Sequence, residues 1–247
     1  MQKIYLDFET YFDSVLSLTK MSTVQYINHP DFKVWGVGIK VEDNDTEWYG
    51  EDETPAILEQ IDWATTALVC HNTLFDAYIL TQHFGYKPAY YYDTAAMSRG
   101  LYPNMSARLK DCCVREFPND ETMRKGEELV SAKGVRDLDP EMDNTIGQYC
   151  VQDVDLTYAL FQSYIKNFPC DELDLIDLTT RMFVEPKLLM NRGLLEDYKK
   201  EMAERAQLAI DASGVTREVL ASQQKFAKHL ESLDIVVPTK KSPRTGE

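Results

Sequence analysis

The segment Lys3-Ile-Tyr-Leu-Asp-Phe-Glu-Thr10 sets two acids, Asp7 and Glu9, in a short β-prone run. Side chains two apart on a strand share a face, so both carboxylates project together from an otherwise apolar strand. Like charges held that close repel, and the pair must either take up a proton or share a cation. One half of a divalent-metal site meets that demand. Asp-x-Glu alone also fits a frayed strand end whose acids are solvated.

Two further segments supply partners. Val69-Cys-His-Asn72 ends a buried strand, and Asn72-Thr-Leu-Phe-Asp76 enters a helix, a place where open α/β sheets bind ligands. Asn or Thr there would cap the helix. Asp76, in its first turn, also suits the helix dipole, a purely structural role. In Tyr149-Cys-Val-Gln-Asp153, Tyr149 and Asp153 are four apart and share a helix face, while Asp155 turns away toward solvent. Asp7, Glu9, Asp76 and Asp153 together form an all-carboxylate set, which selects hard cations such as Mg²⁺ or Mn²⁺. Carboxylates around two such ions ~3.5–4 Å apart suit phosphodiester cleavage by in-line attack. Tyr149 would orient the attacking water.

The elements that must position these groups alternate over residues 1–170. Strands are expected at Ile4–Glu9, Trp35–Val41, from Glu47 and at Ala67–Cys70. Helices are expected at Pro55–Ile61, Leu74–Phe84, after Asp93, at Ser106–Phe117 and at Met142–Asn167. Lys125–Asp137, rich in charge and glycine, is expected to be a mobile loop or irregular segment. This alternation predicts an α/β or α+β sheet with helices on its faces. After Phe168-Pro169 the periodicity is helical to residue 233, broken at Gly193 and Gly214, and the end is polar and basic.

At these residues the chain resembles the DEDD superfamily of 3′–5′ exonucleases. Asp7-Phe-Glu-Thr10 is similar to its first motif, Asn72-x-x-x-Phe75-Asp76 to its second, and Tyr149-x-x-x-Asp153 to its third in the tyrosine form. The histidine form would need His where Gln148 stands. The resemblance implies an RNase H-like fold, a mixed sheet flanked by helices, over residues 1–168. It also implies two ions, Mg²⁺ or Mn²⁺. Residues matching Asp7, Glu9 and Asp153 bind the first ion; Asp7 and, often through water, Asp76 serve the second. Tyr149 holds the water, Phe75 lies near or on the substrate end, and Asn72 is suited to hydrogen-bonding it. Thr10 either contacts the terminal nucleotide or simply ends the strand.

Residues 169–247 resemble the start of the thumb of family A DNA polymerases, in Phe183–Asp197 and in Phe226–Gly246, with no palm or fingers motif. The implied activity is proofreading removal of nucleotides from single-stranded or frayed DNA 3′ ends, with a polymerase portion as partner. Because the first motif starts at residue 7, no 5′-nuclease domain is expected ahead of it, as in phage polymerases. An RNase D-like exoribonuclease and a catalytically silent DNA-end-binding module are the alternatives.

Composition narrows the classes. A net charge of −15 argues against a broad basic groove for duplex DNA, though not against a cleft holding a few nucleotides through ions, amides and stacking. No apolar run approaches the ~20 residues that span a bilayer, and no signal peptide opens the chain, so a cytoplasmic protein without membrane contact is expected. Five cysteines without a Cys-x-x-Cys pair read as reduced core or helix-face residues in mainly apolar surroundings, neither a disulfide frame nor a zinc site. His71 reads as a satisfied structural histidine. Tyr90–Tyr92 is either core packing or a stacking platform. Arg108, Lys110, Arg124 and Lys125 are either solvated or meet DNA phosphates.

Overall fold

A computed structural model describes residues 1–126 and 132–238 of the chain. Its centre is the first strand, β1 (Gln2–Thr10). Ile4, Leu6 and Phe8 face one core, with Phe8 stacked 5.7 Å from Phe84. Tyr5 faces a second core and meets Phe161 edge-on at 5.7 Å. An apolar residue on each side requires layers on both faces of the sheet.

The sheet order is β3-β2-β1-β4-β5. β2 (Val34–Val41) runs antiparallel to β1, and β3 (Glu47–Gly50) antiparallel to β2. β4 (Thr66–Cys70) and β5 (Tyr90–Asp93) continue parallel on the other side. The short helices α1 (Thr23–Ile27) and α2 (Thr54–Glu59) sit in the connections. α3 (Leu74–Tyr78) runs into a π-helical turn, Ile79–His83, where a regular helix to Phe84 was expected. α4 (Thr94–Leu101) and α5 (Leu109–Glu116) lead to the longest helix, α6 (Pro140–Tyr164).

α6 begins with Asp139 accepting the Met142 N–H at 2.8 Å and Pro140 in its first turn. Its buried stripe includes Ile146, Cys150, Val154, Phe161 and Tyr164, the period of a helix lying on a sheet. Val154, Leu160 and Phe161 are each worth about 1.5–3 kcal/mol when fully buried. That burial fixes the face of α6 turned toward β1.

The chain divides into two compact units, Met1–Lys187 and Leu188–Glu247. The sequence pattern changes at 169, but α7 (Cys170–Val184) belongs to the first unit. β5 is an edge strand, and α7 covers it: Asp177 accepts the Tyr91 N–H at 2.9 Å. Arg181 pairs with Asp177 and Glu185 and reaches the Ala89 carbonyl at 3.1 Å. Charges that look like a solvated helix face in sequence thus complete a sheet edge. Tyr91 is fully buried, and Tyr90 and Tyr92 lie 4.6 Å apart, so this run is packing.

The second unit holds α8 (Arg192–Ser213), α9 (Arg217–Leu220) and α10 (Gln223–Glu231). Gly214, at φ +66°, ends α8 as expected. Gly193 does not break a helix; it lies in the first turn of α8, behind an Asn191 cap on the Leu194 N–H. Among the described residues no helix is long and apolar enough to cross a membrane.

Candidate active site

Asp7 stands opposite Gly38, and Glu9 opposite Gly36, in the β1–β2 ladder. Directly paired residues share a face, so the two acids lie on the side that α6 covers. The glycines make the room. A Cβ on Gly38 would lie 2.8 Å from the Cys150 Sγ, and one on Gly36 would lie 2.4 Å from the Trp48 ring. Gly38 thus leaves room for Cys150 of α6, and Gly36 for Trp48 of β3, on the face that carries the two acids. Gly38→Ala is expected to lower stability by about 1–3 kcal/mol through overpacking, measurable by denaturant unfolding.

The parallel ladder of β1 with β4 ends at Tyr5. Beyond it the Phe8 N–H, between the two acids, is accepted by Asp76 Oδ1 at 3.0 Å. Asp76 sits in the first turn of α3 as expected, buried, with its carboxylate committed to β1. The expected side-chain cap is absent. Thr73 holds the cap position, but its hydroxyl donates to the Tyr92 carbonyl at 2.6 Å. Asn72 adopts φ +72°, is exposed, and gives its N–H to Asp93.

From α6, Asp153 pairs with Lys125. Tyr149 is half-buried one turn earlier, its ring against Gly126, where a Cβ would lie 2.7 Å from Cε1. Gln152 donates to the Arg124 carbonyl at 2.8 Å. Lys125 and Gly126 are thus anchored to α6 rather than loose. Residues 127–131 of the segment expected to be mobile lie outside the described residues. Of the four basic candidates, Arg108 and Lys110 are exposed, Arg124 binds the carbonyls of Phe117 and Pro118, and Lys125 alone meets the acids.

Cys150 corrects another expectation. It is free and buried, but its surroundings are polar: Sγ lies 3.2 Å from the Asp7 carbonyl and 3.7 Å from Asp7 Oδ2. Ligand atoms of Asp7, Glu9 and Cys150 all lie within 4.8 Å of one another. Its position three residues before Asp153, on the same side of a helix, was the signal in the sequence.

The charges are held under strain. Burial raises the Asp7 carboxyl from 3.8 to about 7, with Asp153 adding to the rise and Lys125 and the Cys150 thiol opposing it. Burial, then Asp7 and Asp153, holds Glu9 well above the usual carboxylate range. Burial, then Asp7, does the same to Asp76, against the pull of the Phe8 N–H. The oxygens of Asp7 and Glu9, close together and each destabilised as an anion, fit hard divalent cations, with Asp76 on the Phe8 N–H and Asp153 on Lys125 beside them. Asp7, Glu9, Asp76 and Asp153 would hold them.

The remaining candidates take supporting places. Thr10 is buried, its hydroxyl 2.9 Å from that of Tyr26. Phe75 packs 6.2 Å from the Tyr26 ring. Asp155, expected to be merely solvated, pairs with the buried Lys40 at 3.1 Å. His71 gives Nε2–H to the Ala107 carbonyl at 2.9 Å and faces the Thr94 hydroxyl at 2.8 Å, a satisfied neutral ring.

No family model and no curated protein matches this sequence. Among solved structures, Brucella melitensis NrnC is similar at 15% identity and a TM-score of 0.50, over 74% of this chain and 82% of that one. The same protein with bound Mg²⁺ gives 14% and 0.50, over 74% and 82%. The POL domain of Pol1 from M. smegmatis, in complex with DNA primer-template and dNTP, is similar at 16% and 0.53. That match covers 99% of this chain, which spans 40% of the other. The fold is thereby the RNase H-like one, a mixed five-stranded sheet flanked by helices with a helical C-terminal part.

Proposed function

We propose that the chain is a metal-dependent 3′–5′ exonuclease that removes nucleotides from single-stranded or frayed DNA 3′ ends, as the proofreading part of a family A polymerase. The observation that carries this reading is the meeting of Asp7 and Glu9 with the Phe8–Asp76 bond and the Asp153-bearing face of α6. Divalent cations, when bound, would offset charge on a phosphodiester and acidify water. Asp7, Glu9, Asp76 and Asp153 would hold those ions. Tyr149 orients the attacking water through its hydroxyl. Asn72 and Phe75, at the carboxyl end of β4, hold the terminal nucleotide, and Thr10 keeps the end of β1 in place through Tyr26. Attack forms one P–O bond and breaks the bond to the 3′ oxygen, which takes a proton and leaves as the new 3′ hydroxyl.

Two likenesses support the substrate class. NrnC has been solved bound to pGG, and the Pol1 domain, with DNA, resembles both the sheet-bearing and the helical unit of this chain. The test is stepwise shortening of a 5′-labelled single-stranded DNA with Mg²⁺, abolished by EDTA. Matched RNA digested faster than DNA would replace proofreading with the exoribonuclease reading, and binding without turnover would leave the silent module. Tyr149→Phe is expected to lower turnover about 10–100-fold, the usual effect of losing an orienting partner, with single-strand binding unchanged.

A further inference from the structure

A thiol is an odd member of a site for hard cations, because sulfur adds little affinity for Mg²⁺ and much for softer ions. Cys150 stands among the acids nonetheless. Its Sγ, one oxygen of Asp7 and one of Glu9 converge within 4.8 Å from two different elements, α6 and β1. Gly38 permits the approach, since any Cβ there would press on the sulfur. Asp7 and Glu9 are half-buried residues on β1, and Cys150 is buried against them from α6.

We propose that Asp7, Glu9 and Cys150 form a mixed carboxylate–thiolate site that captures Zn²⁺ or Cd²⁺ in competition with the hard cations of the same acids. The thiol proton passes to buffer as the sulfur–metal bond forms, with no change of oxidation state. A fourth position is left for water, the usual coordination number of zinc being four. Only the consequence for hydrolysis, inhibition of Mg²⁺-supported turnover by Zn²⁺, rests on the nuclease reading; the binding rests on the geometry.

Cadmium titrated into the full chain tests this through the ultraviolet sulfur-to-cadmium charge-transfer band. One equivalent should develop the band in the wild type and in Cys170→Ser, a control for the exposed thiol. Cys150→Ser should abolish it and bind Cd²⁺ at least about tenfold more weakly. X-ray absorption of the wild-type zinc form needs no variant and should show one sulfur neighbour. A band that persists in Cys150→Ser, no band in the wild type, or a shell of oxygen and nitrogen alone overturns the proposal. A band with no Mg²⁺-dependent hydrolysis upholds the site and defeats the nuclease reading.

Discussion

Asp7→Ala is expected to abolish hydrolysis while the fold stands. Asp7 is the acid that burial, Asp153 and Cys150 all address, and cation-based charge stabilisation is worth several kcal/mol in such a site, so turnover should fall by at least about a thousandfold. The core does not depend on the carboxylate. Ile4, Leu6 and Phe8 hold β1 on one face and Tyr5 on the other. The closer contact of Cys150 is to the Asp7 backbone carbonyl, which the substitution keeps. Without metal the variant should be no less stable than the wild type, because it removes a charge that its surroundings disfavour. The checks are a single-strand digestion assay and thermal unfolding in EDTA. Undiminished hydrolysis by a pure preparation would falsify the assignment of Asp7.

The second large effect is a dependence of metal-free stability on pH that divalent cations remove. Asp7 titrates at about 7 when folded against 3.8 ordinarily, and Glu9 and Asp76 are displaced the same way. A raised folded value means the native state holds the proton more tightly. Its contribution is complete below the ordinary value and is lost as pH rises through about 7. His71 and His83, lowered chiefly by burial, act oppositely, but only where the unfolded chain gains their protons, below about 6.5. Between pH 6.5 and 8.5 the acids dominate. In EDTA, stability should fall across that window by about 1–2 kcal/mol, roughly 2–4 °C of unfolding midpoint per kcal/mol. Mg²⁺ should raise the midpoint at pH 8.5 and flatten the slope by mass action. Asp7→Asn should flatten it without metal. A midpoint that rises with pH in EDTA would show that burial and the neighbouring acids do not hold these carboxyls above their ordinary range.

Much of the site is legible along the chain because its parts are local. Asp7 and Glu9 share a face by strand pleat alone, and Tyr149 and Asp153 by helical pitch. Most strands and helices also follow from periodicity, and α6 lies over Pro140–Tyr164 where a helix from Met142 to Asn167 was expected. What escaped are matters of pairing. The place of Trp35-Gly-Val-Gly-Ile39 as a strand is visible, but only the register shows its glycines opposite the acids. Cys150 looks like an apolar helix residue until β1 lies beneath it. Asp174, Asp177, Arg181 and Glu185 look solvated until the edge of β5 needs covering, where Asp177 accepts from the Tyr91 backbone and Asp174 from the Tyr90 hydroxyl.

By itself, then, the sequence determined which residue types would meet, in which local pairs, and so the demand for cations at Asp7 and Glu9. Only the tertiary structure decided the rest: the ladder end that turns Asp76 onto the Phe8 N–H, the lysine set against Asp153, and the thiol beside Asp7. The reason is physical. Pleat and helical pitch act between neighbours in the chain, whereas burial, register and charge coupling act between residues as far apart as Asp7 and Cys150, which packing alone brings together.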